Sequence, residues 1–365
     1  MTTFGMNIGR LRLANQHVTR PQLDDPADVV RWLGAVQAQD FLGGLWAVGL
    51  RTRGAIESTV EDAIARRAIV RTWPMRGTLH FVAAEDARWM TALMAPRVLT
   101  GAASRFRQLG LDAKVFSRSV DATVRVLEGG KCVRRDAMYV HWNAAGIATD
   151  DSRGLHILGY LAQTGVICFG PRDGKQHTLT LVDEWLPPVR PRARDEALGE
   201  LVRRYFTSHG PATLHDLGWW SGLPLADLRV GLEQVKAELE SREVDGRTLW
   251  VAPSGASRAS RTAHLLPAWD EFTVGYRDRS DILDPKYATR VNAGGGVLKP
   301  VIVIDGRVVG TWQRTIGKGG VKVTPTLFRR LDAADARAFD AAVGRYARFV
   351  SMGSDPFENK GLRPA

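Results

Sequence analysis

The sequence predicts an α+β protein made of a repeated unit, short helices followed by a β-hairpin, with a β-rich C-terminal segment and a closing helix. Three observations predict it. Runs with helical apolar spacing come in groups of two or three. Each group is followed by two short β-prone runs around a turn that carries Gly. The length, 365 residues, exceeds what one small core organises. Helix, helix, helix, hairpin is the winged-helix plan, and three tandem modules are expected, at 1–110, 111–190 and 191–260, ahead of a segment at 261–365.

The first module reads as helices near Ile8 to Asn15, Pro26 to Val36, Phe41 to Leu50 and Ile56 to Ala65. Strands at Ile69 to Trp73 and Thr78 to Val82 follow, with Pro74 and Gly77 shaping the turn between them. The second begins with a helix bearing Val120, Val124 and Leu127, then helices at Arg134 to Ala145 and Gly154 to Thr164, and a hairpin from Val166 to Leu181 turning at Asp173-Gly174.

The third copy is the clearest. Leu198, Leu201, Val202 and Tyr205 share one helical face, and His209, Gly210 and Pro211 stop that helix. Thr213 with Asp216 opens the next helix as a capping-box variant, and Gly222 with Pro224 turns out of it. A candidate recognition helix then carries Leu225, Leu228, Leu232, Val235 and Leu239, leaving Arg229 and Lys236 on other faces for phosphate. The wing, Glu243 to Val251, turns at Asp245-Gly246. In the last segment the turn-rich stretch Asn292 to Gly296 leads to a hairpin, Val301 to Trp312, on Asp305-Gly306, and to a helix from about Asp332 to Val350. Residues 190–194 and 254–261 read as basic linkers and 353–365 as a loose tail.

Charge narrows the partner. A formal net charge of +11 and a pI near 10.0 favour a polyanion, nucleic acid first and an anionic membrane second. No apolar run spans a bilayer and no signal peptide opens the chain, so a cytosolic location, without membrane, is expected. Cys132 and Cys168 are too few for a disulfide framework and lack zinc spacing; both are expected to be buried, reduced thiols. No metal and no cofactor are expected.

Gln37-Ala38-Gln39-Asp40 is the most informative tetrapeptide. Amides at i and i+2 point apart on a helix but to one side of an extended chain, so Gln37 and Gln39 can face one pocket. Alone the pattern is weak, since paired glutamines usually lie on the surface. Asp40 precedes the apolar run from Phe41, where an N-cap belongs, although a carboxylate there also suits a general base. Asp270 and Glu271, beside Trp269, are a second acidic pair that either borders the pocket or lies in a solvated turn. Arg76 and His80 flank the first hairpin as phosphate contacts or, structurally, as a solvated turn residue and a buried strand residue. Lys299, Arg307 and Arg314 frame the C-terminal hairpin, a candidate probe of a DNA groove or an ordinary β-edge.

The stretches Gly34 to Asp40 and Arg71-Thr72-Trp73-Pro74-Met75-Arg76-Gly77-Thr78-Leu79-His80 resemble the AlkZ-like winged-helix DNA glycosylases. Two further blocks agree in chain order, GVICFGPRDGKQHTLTLVDEW from Gly165 and LLPAWDEFTVGYRDR from Leu265, so the likeness covers nearly the whole chain. It implies tandem winged helices around a concave basic surface and a QxQ motif supplying two catalytic glutamines, here Gln37 and Gln39. A YcaQ-like branch has QxD instead, which places this chain nearer the AlkZ side, whose members act on bulky purine adducts and unhook interstrand crosslinks.

The implied chemistry suits amides. Alkylation at N7 or N3 makes the purine cationic, so it leaves without a strong general acid, and two carboxamides can hold the attacking water in line. A bulky base flips poorly into a deep pocket, so an open site with few aromatics near Gln37 is expected. No Lys stands beside the motif as a Schiff-base nucleophile, so no lyase step is expected. The resemblance implies double-stranded DNA containing alkylated purines as the partner, and a monomer is expected. The competing readings are a winged-helix transcription regulator without catalysis and an architectural damage-binding protein.

Overall fold

The computed structural model describes residues 7–253, 262–317 and 320–350. The expected linker at 254–261 and the tail at 353–365 lie outside the described residues. The chain opens with α1 (Ile8–Asn15), α2 (Pro26–Leu33), β1 (Val36–Gln37), α3 (Phe41–Gly49), α4 (Glu57–Ala65), β2 (Ile69–Met75), β3 (Thr78–Ala83) and α5 (Ala87–Gln108). Next come α6 (Ala113–Leu127), β4 (Val133–Arg134), α7 (Arg135–Ala144), α8 (Arg153–Gln163), β5 (Ile167–Asp173), β6 (Gln176–Leu181) and α9 (Val182–Trp185). A third group holds α10 (Arg194–His209), α11 (Leu214–Ser221), α12 (Leu225–Val235), β7 (Glu240–Val244) and β8 (Arg247–Val251). The C-terminal part holds β9 (Ala263–Leu266), α13 (Glu271–Val274), α14 (Ala288–Val291), β10 (Val301–Ile304), β11 (Arg307–Gly317), β12 (Gly320–Leu327) and α15 (Ala333–Val350). This is an α+β fold whose grouped helices and hairpins are consistent with winged-helix modules.

The hairpins do not all stand alone. β1-β3-β2-β5-β6-β4 form one six-stranded sheet, joined in the middle where Arg71 of β2 pairs with Phe169 of β5. β7-β8 is a separate ribbon, and β12-β11-β10-β9 is a four-stranded sheet. Cores also cross the chain order. Side chains of α2, α3 and α4 share one apolar cluster with the C-terminal sheet and α15. Those of α10 to α12 share another with Val70, Met75 and the first turns of α5. A third joins α6 to α8 with β5 and β6, and takes in Trp73 and Leu79.

Several sequence expectations need correction. The helix expected to run from Pro26 to Val36 stops at Leu33, where Gly34 takes φ +80° and frees Val36 and Gln37 to pair with β3. Pro74 does not shape the turn; it lies inside β2, at a register shift between Thr72 and Met75, where a missing N–H does least harm. In the second hairpin Asp173 is the last paired residue, opposite Gln176, so the turn is Gly174-Lys175. The recognition helix ends at Val235, and Lys236 begins a short 3-10 turn. Helix α5 was not anticipated at all. Cys132 is exposed, while Cys168 is buried as expected.

The hairpin on Asp305-Gly306 is not a free probe. Its turn rests on α1: Arg10 pairs with Asp305 at 3.1 Å, Asn7 Nδ2 donates to Asp305 O, and Gly9 and Gly306 approach too closely for a Cβ on either. Arg307 donates to Ser280 O and Arg314 to the Tyr346 hydroxyl, so both guanidinium groups are engaged within the fold. Beyond this turn β11 continues into a pair with β12, and Ile316 near its end is largely exposed.

Candidate active site

Strand β1 is short because its neighbours end it: α2 before, and α3 immediately after Asp40. Within it Gln37 sits opposite His80 of β3, and Ala38 N–H continues the ladder to Leu79 O. The backbone is extended through Gln37, as the i and i+2 spacing requires. The two glutamines nonetheless meet different surroundings. Gln37 is 7% exposed, whereas Gln39 stands open on the wall of a cleft of about 620 Å³.

Both carboxamides have a fixed orientation. Arg76 Nη2 lies 3.0 Å from Gln37 Oε1, and Leu79 N lies 3.2 Å from Gln39 Oε1. Each partner can only donate, so each glutamine must turn its oxygen to the protein and present its Nε2 elsewhere. His80 follows the same logic. Its Nε2 faces Arg76 Nη2 at 3.2 Å and must accept; its Nδ1 then carries the proton and donates to Thr78 O at 2.9 Å. Burial, with Arg76 nearby, pushes His80 down to about 3, so the ring is neutral.

Beneath Gln37 lies Glu271, fully buried. Its Oε1 accepts from Gln37 N–H at 2.9 Å, and its Oε2 from Trp220 Nε1 at 2.8 Å and His209 Nε2 at 3.3 Å. Burial alone would raise this carboxyl, but the hydrogen bonds it accepts from His209 and from Gln37 N–H hold it below the usual range, as a carboxylate. Burial pulls the Arg76 guanidinium down, and Glu271 opposes that pull. Asp270, by contrast, is committed to Arg51 through both oxygens, at 2.8 and 2.9 Å, and also accepts from Phe272 N–H. It is structural, sealed away from the cleft.

Three further site expectations change. His80 is fully buried and Arg76 is turned inward, so neither is free for a phosphate. The acidic pair is not in a solvated turn. Asp40 occupies the N-cap position of α3, yet its side chain makes no capping hydrogen bond. The cap therefore does not account for this carboxylate, whose charge is felt by Arg71 and Tyr346.

The cleft itself is more aromatic than expected, with Trp73, Phe106, Tyr160 and Phe169 in its walls. Trp73 and Phe169 stand 5.2 Å apart across the β2–β5 junction. Arg71 adds a cation beside Phe169; burial pulls it down to about 10 against the attraction of Asp40, so it stays charged. His177, also on the wall, is pushed down to about 4 by burial and by Arg71, Arg172 and Arg135. Sequence reasoning missed Arg71 and His177. The available signal was Arg71 itself, a charge two residues before Trp73 and so on the same side of an otherwise apolar strand. Arg229, Lys236 and Lys299 are exposed, far along the chain from the cleft walls; Lys299 borders a concavity of about 520 Å³ with Arg290. Among the described residues no cluster of His, Cys, Asp and Glu could hold a metal ion, and no helix is long and apolar enough to cross a membrane.

Helix groups with hairpin wings around a cleft of aromatic and cationic walls define the winged-helix class of DNA-handling protein. Comparison with known proteins makes this specific: the chain belongs to the family described as DNA glycosylase AlkZ-like, whose profile matches residues 30–349. It is 28% identical over 321 residues, 83% of this chain and 85% of the relative, to the "Interstrand DNA cross-link repair glycosylase" of Streptomyces sahachiroi. It is also similar to the solved Streptomyces sahachiroi DNA glycosylase AlkZ, with a TM-score of 0.78 and 26% identity over 94% of this chain and 95% of that one.

Proposed function

We propose that this chain is a monofunctional DNA glycosylase that hydrolyses the N-glycosidic bond of cationic alkylpurines of the N7-alkylguanine or N3-alkyladenine type. The observation that carries the reading is the setting of the QxQ strand: Gln39 opens onto a wide cleft with aromatic and cationic walls, and Gln37 is held just behind it. Water oxygen attacks the sugar C1′ as its bond to the purine nitrogen breaks. The electron pair of that bond neutralises the purine cation, so no acid is required at the leaving group. One amide Nε2 donates to the water, whose second lone pair stays free for C1′, the other Nε2 steadies the deoxyribose, and Asp40, whose carboxylate makes no capping bond, takes the water's proton. Abasic DNA is the product.

The reading extends to bulky and crosslinked adducts, because the cleft is broad and the Streptomyces sahachiroi relative is named for crosslink repair. Arg229, Lys236 and Lys299 serve as phosphate contacts. We take the fold as three winged-helix modules, at 1–110, 111–190 and 191–260, with the C-terminal sheet and helix completing it, acting as a cytosolic monomer. The test is release of base from duplex DNA bearing a single N7-methylguanine, read as alkali-labile abasic sites, and repeated with Gln37→Ala and Gln39→Ala. A transcription regulator releases no base.

A further inference from the structure

We infer that Arg76 is the positioning residue for Gln37, fixing which end of that carboxamide faces the reaction; the inference rests on the glycosylase reading above. It begins with a turn. Three hairpins close with two central residues at positive φ: Asp245-Gly246 (50° and 70°), Asp305-Gly306 (53° and 78°) and Arg76-Gly77 (54° and 69°). Asp-Gly and Asn-Gly suit that conformation, and an arginine does not. The same backbone thus takes Asp twice and Arg once, and the exception is the residue whose side chain touches the QxQ motif.

The side chain turns inward from the turn. Its Nη2 donates to Gln37 Oε1 at 3.0 Å and to His80 Nε2 at 3.2 Å, and Gly222 comes near enough to its Cγ that a Cβ there would crowd it. His80, fully buried, is anchored through Nδ1 on Thr78 O and so offers Arg76 a fixed acceptor. On the other side of the strand Glu271 holds the Gln37 backbone N–H and supplies the opposite charge in a sealed environment. Backbone and side chain of Gln37 are therefore held from two directions. Without Arg76 the carboxamide would be free to rotate by half a turn and exchange its donor for its acceptor.

The experiment is single-turnover base release from the N7-methylguanine duplex by the full chain carrying Arg76→Asn, a residue the turn prefers. The rate constant should fall about 10- to 100-fold. Duplex affinity and its salt dependence should stay unchanged, and the melting temperature should fall only modestly, the better turn residue offsetting part of the cost of leaving Gln37 Oε1 and His80 Nε2 without their donor. Arg76→Lys, which keeps a charge but not the planar fork, should be intermediate, and tests the idea even if the Asn variant folds poorly. In a Gln37→Ala background Arg76→Asn should change the rate by less than about twofold, since there is no carboxamide left to orient. A rate within twofold of the parent's for both variants, a loss that persists without Gln37, or a loss carried by affinity and salt slope would each overturn the inference while leaving the glycosylase reading intact. A parent protein that releases no base overturns both.

Discussion

Gln37 and Gln39 are two residues apart on one extended segment, and their surroundings are opposite in kind. Gln37 is sealed among Arg76, His80 and Glu271, the last tied to α10 and α11 through His209 and Trp220; Gln39 is open, held by a single backbone N–H of β3. The difference separates two tasks. Buried charges in low dielectric fix geometry because every displacement is costly. A solvent-facing amide whose oxygen is fixed by one hydrogen bond keeps its Nε2 available to what enters the cleft. Mutation on the sealed side should therefore cost stability, and rate as well where it releases the Gln37 carboxamide, whereas mutation on the open side should cost rate alone.

The largest expected effect lies in the sealed ion pair beside Glu271, between Asp270 and Arg51. Asp270→Ala strands the Arg51 guanidinium, both side chains being fully buried, and should cost about 3–5 kcal/mol in denaturant unfolding. Gln39→Ala should leave the unfolding midpoint almost where it is; equal losses for the two variants would erase the contrast. On the open side, Gln39→Ala should slow base release by about 10²–10³ at unchanged duplex affinity, the scale for losing one preorganised donor. Asp40→Asn should slow it by about 10² or more, and an unchanged rate would remove Asp40 as the base.

A smaller effect comes from protons. His80 on the sealed side and His177 on the open side are held down to about 3 and about 4, against an unfolded value near 6.5. Between those values the unfolded chain binds protons that the folded chain refuses, so stability should fall as pH drops from about 6.5 towards about 4, and further for His80. Thermal melts across this range should show the slope, and His177→Asn should make it shallower. A flat profile would mean that neither ring is neutral for the reason given. The smallest effect is expected outside both regions: Lys236→Ala or Arg229→Ala should reduce the slope of log affinity against log salt by about 1, with the rate at saturating protein untouched.

Much of the local fold was legible because it is locally determined. Asp245-Gly246 and Asp305-Gly306 marked their hairpins, Thr213 and Asp216 form the capping box, and α1 runs from Ile8 to Asn15 as its apolar spacing indicated. Helix α5 was hidden by its own composition. Its buried apolar residues, Trp89, Met90, Leu93 and Met94, crowd the first turns, Pro96 reads as a breaker, and beyond it Val98, Leu99 and Phe106 are scattered among small and polar residues. The site was legible as a motif and not as a geometry. Nothing near Glu271 in sequence announces His209 and Trp220, contributed by α10 and α11, and a buried acid is intelligible only with those partners present. Arg76 likewise looked solvated because turns usually are, and only the fold brings Gln37 and His80 beneath it.

The joint between the two hairpins of the large sheet has its own consequence. β2 and β5 meet at a single residue pair, Arg71 with Phe169, and the rings of Trp73 and Phe169 face each other across it. Parting the two hairpins would break only about one rung of hydrogen bonding, on the order of 1–3 kcal/mol, but would also open the apolar cluster that Trp73 and Leu79 share with β5 and β6. The mouth of the groove is thereby closed by side chains more than by a backbone ladder, so trimming Trp73 or Phe169 should loosen it further than any change to the strand backbones.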